Sequence, residues 1–227
     1  MRLDDPNLPD LRRIAVALGD LCEQVVFVGG AVAGLLVTDP LADSVRATRD
    51  VDAVVNTSRA RFHEIEAQVA QRGFGRDVRS DVICRWLHSA TGVAFDLMPV
   101  QPEVLGFTNR WYPYAVETAE RVDLGEGARI RLVSAVAFVA TKLEAFASRG
   151  HGDFLSSHDL EDVLNIVDGR EELTGEIADA PIEVREAVAG IFRRLLSNAD
   201  FVNVFPGLMA EPARAPLVWA RLKMLCD

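Results

Sequence analysis

Lysine is nearly missing from this chain. Of 24 basic residues only Lys142 and Lys223 are lysines, so arginine is the default cation. A lysine in such a background is informative, because its compact ammonium is a point charge that the planar guanidinium fork does not imitate. Cysteine is also scarce. Cys22, Cys84 and Cys226 are odd in number, widely spaced and form no CxxC pair, which excludes a disulfide framework and a structural zinc site and reads as a reduced, cytoplasmic protein. His63, His88, His151 and His158 show no HxxxH spacing. No apolar run approaches the ~20 residues of a membrane helix, and the segment MRLDDPNLPDLRR is acidic and proline-bearing, unlike a secretory signal. No membrane partner is expected. A formal charge of −10 argues against broad, non-specific nucleic-acid binding, which needs a positive surface, but leaves room for a local basic cleft.

What is present is an ordinary globular composition, 49% hydrophobic and 26% charged over 227 residues, enough for one large domain or two small ones. Helical spacing of apolar residues covers 10–21, with Asp10 as the expected N-cap. A short buried strand is expected at 24–28, followed by a Gly29-Gly30 turn and a short helix at 31–37. A second strand is expected at 49–56, then a helix from Thr57 or Ser58 to about Arg72, closed by Gly73. Residues 82–88 and 93–100 read as a hairpin around Ser89–Gly92 (SATG). The segment 103–132 is poorly patterned apart from an expected strand at 129–132 after the Gly125–Gly127 turn. Beyond residue 132 the pattern becomes helical, with helices expected at 134–149, 158–167, 182–197 and 213–226. The expected class is α/β (α+β): a catalytic half over 1–132 and a helical domain over 133–227 that completes a cleft.

The informative feature is acid inside apolar strands. In TRDVDAVV, Asp50 and Asp52 lie two residues apart and share a strand face, with β-carbons roughly 7 Å apart. Two such charges repel by roughly 2 kcal/mol at an effective dielectric near 20, and aspartate is a poor strand residue. A cation between the carboxylates explains why both penalties are accepted. The plainer account is an exposed edge strand salt-bridged by Arg46 or Arg49. Asp96 interrupts VAFDLMPV in the same way; its plainer account is a pair with Arg85 across the hairpin. If the three acids converge, they suit two hard divalent cations held by oxygen, with Asp96 helping to deprotonate an incoming hydroxyl. Gly29 and Gly30 offer backbone N–H groups near a helix start, and Thr48 shares the face of Asp50 and Asp52, so these three are candidates to grip a phosphate. GGAVAG itself lacks the Lys-Ser/Thr of a Walker A loop. Phe107, Trp111, Tyr112 and Tyr114 could stack a base, but a hydrophobic plug under a long loop is the favoured account.

The order Gly29-Gly30, then Thr48-Arg49-Asp50-Val51-Asp52, then a lone Asp96 resembles the polymerase-β-like nucleotidyltransferase superfamily over about residues 25–100. In the helical half, TKLEAFASRG followed by SSHDLEDVLNIV is similar to the AbiEii-type (type IV toxin) branch, with His158 standing where a lysine often precedes the first acid. The resemblance implies a small mixed sheet flanked by helices and magnesium-dependent transfer of a nucleoside monophosphate from a nucleoside triphosphate, ATP among the candidates, with pyrophosphate leaving. It further implies two Mg²⁺ ions (Mn²⁺ as a substitute) on Asp50, Asp52 and Asp96, Lys142 near the triphosphate, and nucleotide contacts at Asp159 and Asp162. The implied acceptor is a tRNA end, a small hydroxylated molecule or a protein side chain, and an antitoxin partner is conceivable. Plainer accounts make Lys142 a solvated helix cation paired with Glu144 or a neighbouring acid, and Asp162 a surface residue. The rivals are a non-catalytic nucleotide-binding protein of the same fold, a metal-dependent phosphohydrolase and a purely structural protein.

Overall fold

A computed structural model describes residues 4–149 and 152–226. The first three residues of the acidic N-terminal segment and His151 lie outside the described residues. Its strands are β1 (Val26–Val28), β2 (Asp50–Val55), β3 (Phe74–Arg76), β4 (Arg85–His88), β5 (Ala94–Pro99), β6 (Glu120–Gly125) and β7 (Ala128–Leu132). They form one mixed sheet in the order β3-β4-β5-β2-β1-β7-β6. The β2–β5 and β1–β7 pairs are parallel and the others antiparallel. β5 is buried at all six positions, as its near-continuous apolar run requires of a central strand.

Three helices flank the strands in the first half: α1 (Leu8–Leu18), the short α2 (Ala33–Leu36) and α3 (Arg59–Gln71). Leu8, Leu11, Ile14, Ala15 and Leu18 form the buried stripe of α1. The helix starts earlier than its acidic residue suggested: Asn7, not Asp10, is the N-cap, Pro9 sits in the first turn, and a 3-10 turn over Gly19–Glu23 follows. Ser58 caps α3 as expected, accepting a hydrogen bond from the Arg61 N–H.

Two further short helices, α4 (Pro102–Leu105) and α5 (Tyr112–Glu117), precede β6. After β7 come α6 (Ala135–Arg149), α7 (His158–Gly169), α8 (Leu173–Ala178), α9 (Ile182–Leu196), α10 (Ala199–Val204) and α11 (Ala215–Met224). One hydrophobic cluster runs from Leu8 through Phe27 and Phe95 in the sheet to Phe138, Phe192 and Leu225 in the helical half. Among the described residues no helix is long and apolar enough to cross a membrane.

The structure corrects the expected hairpin. β4 begins at Arg85 and not at residue 82, because the segment before it is folded into turns, with the Arg85 N–H bonded to the Val82 carbonyl. The final helix likewise begins at Ala215, after a 3-10 turn at Pro212–Arg214. Both shortenings matter less than what they position. In register across four strands stand Arg85, Asp96, Asp52 and Val28, with Gly29 next in the chain. Registered neighbours share a face, so this row sets the chemistry of the site.

Candidate active site

A cleft of about 1390 Å³ is walled by β2, the residues before it, the start of β4, β5, α6 and the first turn of α7. Gly30, Thr48, Asp50, Asp52, Asp96, Lys142 and Asp159 all line it. Gly29 backs onto Asp52, and Asp162 lies beneath at 0% exposure. The nine residues singled out from the sequence therefore meet in one place.

The acid wall is partly neutralised from within. Arg85 donates from Nε to Asp96 Oδ1 at 2.9 Å and from Nη2 to Asp96 Oδ2 at 2.8 Å, and Nη2 also bonds Asp50 Oδ2. The cross-hairpin pair between Arg85 and Asp96 is thus present. Arg46, considered above as a partner of Asp50 or Asp52, instead turns to Asp162. Among the described residues no group of three or more His, Cys, Asp and Glu side chains stands ready to hold a metal ion; the charge between Asp50 and Asp96 is a guanidinium. Asp52 is different: none of the described residues hydrogen-bonds its carboxylate. Burial first, then the charges of Asp50 and Asp96, push its carboxyl up to about 7. In kind the three carboxylates are the hard oxygen donors a divalent cation takes, and all three lie on one wall, with Asp52 lacking a hydrogen-bonded partner among the described residues.

The glycine turn is shaped by that wall. Gly29 has φ +74°, and a β-carbon there would lie 2.0 Å from Asp52 Oδ2. At Gly30 a β-carbon would come within 2.8 Å of Arg46 Nη2 and 3.1 Å of Asp162 Oδ2. The element that follows is a single 3-10 turn and a four-residue helix, too short for a sizeable macrodipole. Gly29→Ala is expected to destabilise the fold by about 2 kcal/mol or more, through positive φ plus displacement of Asp52. Gly73→Ala supplies the control: φ is +86° but the added carbon meets nothing within 4 Å, so about 1 kcal/mol is expected. Paired thermal melts read the difference, which isolates the Asp52 contact.

Thr48 is anchored rather than free. Its N–H donates to Asn7 Oδ1 at 2.8 Å, and its hydroxyl lies 3.1 Å from the Asp50 carbonyl and 3.3 Å from Asn7 Oδ1. Asn7 also donates to the Arg46 carbonyl. The N-cap of α1 therefore clamps the segment leading into β2, a role invisible in the sequence because a lone asparagine 41 residues upstream carries no signal for it.

The opposite wall comes from the helical half. Ser157 caps α7 by accepting from the Leu160 N–H, which presents Asp159 and Asp162 to α6. Lys142 Nζ lies 2.7 Å from Asp162 Oδ2 and 3.0 Å from Asp159 Oδ1. Arg46 reaches Asp162 from the other side at 3.2 Å, and Arg149 holds Asp159 Oδ2 at 2.9–3.0 Å. The plainer accounts hold only in part: Lys142 is paired with acids, but those of α7 and not Glu144, which pairs with Arg110, and it is largely buried, while Asp162 is fully buried. Desolvation would lower the Lys142 ammonium, yet the charges and hydrogen bonds of Asp162 and Asp159 together hold it above its ordinary value. For Asp159 burial pushes upward, and the charges of Lys142 and Arg149 bring it below the usual carboxylate range.

Cys84 also lines the cleft, but burial, then Asp96 and Asp52, push its thiol up to about 12, so it is a neutral wall and no nucleophile. Of the aromatic segment, Trp111, Tyr112 and Tyr114 pack on the core while Phe107 stands 44% exposed at the cleft. Sequence reasoning missed Asn7 and Arg149 and gave Arg46 and Arg85 only as possible ion-pair partners.

No protein-family model matches the chain, and no curated protein matches it. Among solved structures it is similar to the crystal structure of an antigenic nucleotidyltransferase-like protein from Paracoccidioides brasiliensis, with a TM-score of 0.53 and 19% identity, covering 88% of this chain and 93% of that one. The chain has a nucleotidyltransferase-like fold: a seven-stranded mixed sheet with flanking helices and a helical C-terminal region.

Proposed function

We propose that the chain transfers a nucleoside monophosphate from a nucleoside triphosphate to an acceptor hydroxyl, releasing pyrophosphate. The observation that carries this reading is the registered placement of Asp96 beside Asp52, with Asp50 on the same wall and the Gly29-Gly30 turn at its edge, in a nucleotidyltransferase-like fold. Asp50, Asp52 and Asp96 would hold divalent magnesium or manganese. Bound there, the ion supplies neutralisation of the triphosphate and acidifies the attacking hydroxyl.

The chain's own residues supply the rest. The cleft orients the triphosphate so that the acceptor oxygen attacks the α-phosphorus in line as the bond to the leaving pyrophosphate breaks. Asp96, buried beside that position, accepts the hydroxyl proton. Lys142, with Arg46 and Arg149 around it, brings cations to the helical wall that are balanced at rest by Asp159, Asp162 and Glu161 and that would meet the charge developing on pyrophosphate. Gly30 and Thr48 form the floor against which phosphate oxygens rest. The helical-half motif extends the reading to an AbiEii-type toxin, and the net charge of −10 favours a small molecule or protein over tRNA as acceptor.

A second reading, nucleotide binding without turnover, is favoured by one observation: Arg85 already pairs with two of the three carboxylates. Incubation with each α-labelled nucleoside triphosphate, Mg²⁺ and total cellular RNA, wild type against Asp52→Asn, tests both. Label moving to RNA, protein or a small acceptor with wild type alone supports transfer and identifies the acceptor. Binding without pyrophosphate release supports the second reading, and release of inorganic phosphate makes the protein a hydrolase.

A further inference from the structure

We propose that Arg85 is a displaceable counter-ion of the acid wall: its guanidinium holds Asp50 and Asp96 until a divalent cation and a nucleoside triphosphate enter together, the cation taking the carboxylates and the guanidinium turning to the phosphates. The inference rests on the nucleotidyl-transfer reading above.

The cations of the cleft differ in how firmly they are held. Lys142 is clamped between Asp159 and a fully buried Asp162, and Arg46 is bound to the other edge of Asp162. Departure of either leaves the fully buried Asp162 with a single partner. Arg85 is tied to Asp96, whose side chain is 7% exposed, and to Asp50, at 32%, and its own side chain is 20% exposed, so it leaves Asp96 only as an entering cation takes its place. It roots at the first residue of β4, just after a turn-rich segment in which Val78 and Ile83 are exposed. It is also the only one of the three that sits on oxygens a metal would claim.

Arg85 does not complete the wall. Three carboxylates face one guanidinium, and Asp52 receives no hydrogen bond from the described residues. The wall therefore keeps a net attraction for a second cation, while Arg85 occupies the donors that cation needs at Asp50 and Asp96. A divalent ion and a guanidinium cannot share those oxygens, so entry of one means departure of the other. Phosphate offers the departing fork an equivalent bidentate partner. Metal alone must strand Arg85, whereas metal with triphosphate re-pairs it. The two ligands should then bind cooperatively, each strengthening the other by the same factor.

Manganese binding by electron paramagnetic resonance tests this without turnover, using Mn²⁺ alone and Mn²⁺ with a non-hydrolysable nucleoside triphosphate of each base. Wild type should bind Mn²⁺ alone weakly and about tenfold or more tightly with nucleotide. Arg85→Gln should bind Mn²⁺ alone about tenfold tighter than wild type, with most of the nucleotide enhancement gone. Equal Mn²⁺ affinity in wild type and Arg85→Gln overturns the role of Arg85 alone. Absence of Mn²⁺ uptake by both, with and without nucleotide, overturns the metal-dependent reading as well. Should Arg85→Gln fail to fold, the wild-type protein still decides. The Arg85 Nε–H resonance in ¹⁵N-arginine-labelled protein, identified with Arg85→Lys, should lose its hydrogen-bonded shift on addition of Mg²⁺ and nucleotide. A resonance that stays in place while both ligands saturate sinks the displacement.

Discussion

Asp52→Asn is expected to remove nucleotidyl transfer, by about 10²–10³-fold or more, and at the same time to make the ligand-free protein more stable above neutral pH. The two effects have one origin. In the folded protein burial and the charges of Asp50 and Asp96 push the Asp52 carboxyl up to about 7, against 3.8 for an ordinary aspartate. Between those values the folded chain binds the proton more tightly than the unfolded chain. Asp52 therefore costs no stability below about pH 4, costs progressively more as pH rises toward 7, and costs most above it. Asparagine carries no charge and escapes that cost. In an open cleft beside Arg85, about 1–2 kcal/mol is expected, a rise in Tm of about 3–6 °C at pH 8 with EDTA present and about none at pH 4. Saturating Mg²⁺ with nucleotide should reverse the order at pH 8, because a ligand that binds only the native wild type stabilises it by mass action. A variant no more stable than wild type at pH 8 would mean that Asp52 is already compensated, and the case for a cation there would lose its strongest support.

The same anomaly made much of the site legible before any coordinates. An aspartate in a strand of Val, Phe and Leu contradicts both burial and propensity, and such local contradictions gather at functional sites. Asp50, Asp52 and Asp96 stood out for that reason, and β2 and β5 with them. Gly29 was visible as a turn with backbone N–H groups to offer a phosphate; that its missing β-carbon makes room for a carboxylate needs the fold. β6 escaped because four of its six residues are charged or glycine and only one is buried, leaving no alternation to read. α4, α5, α8 and α10 have four to six residues each, too few for a helical period to declare itself.

Arg85 shows a different limit. Its pair with Asp96 was open to the sequence, because the hairpin alone sets β4 against β5, but its second contact, with Asp50, was not. That contact depends on β5 lying parallel beside β2, a pairing of strands far apart in the sequence that no local pattern gives. The burial of Asp162 was equally out of reach: whether a charge on an amphipathic helix meets solvent or a neighbour depends on what packs there. Here it is α6, and Lys142 with it.

Lys142→Met should therefore act on stability first. It removes the ammonium 2.7 Å from a carboxylate with no solvent exposure and leaves Asp162 with Arg46 alone, while Asp159 keeps Arg149. Stranding a buried charge costs about 3–5 kcal/mol, nearer the lower figure where one partner remains. For a chain of this length the Tm should fall by about 6–12 °C. A methionine of similar reach keeps the packing, so the loss reports on charge and not on a cavity. Adding Asp162→Asn to Lys142→Met removes the stranded charge and should restore most of the lost stability, since the two sites are coupled and their effects should not add. Arg46 then keeps a second acid in Glu161, 3.7 Å away. The double variant separates the roles of Lys142. A lysine that only props up Asp162 leaves a stable and active double variant. A lysine that meets the leaving pyrophosphate leaves a stable one in which transfer is still reduced by about 10²-fold or more. We expect the latter, because the ammonium lines the cleft opposite the acid wall and because a chain that otherwise uses arginine has placed one of its two lysines there.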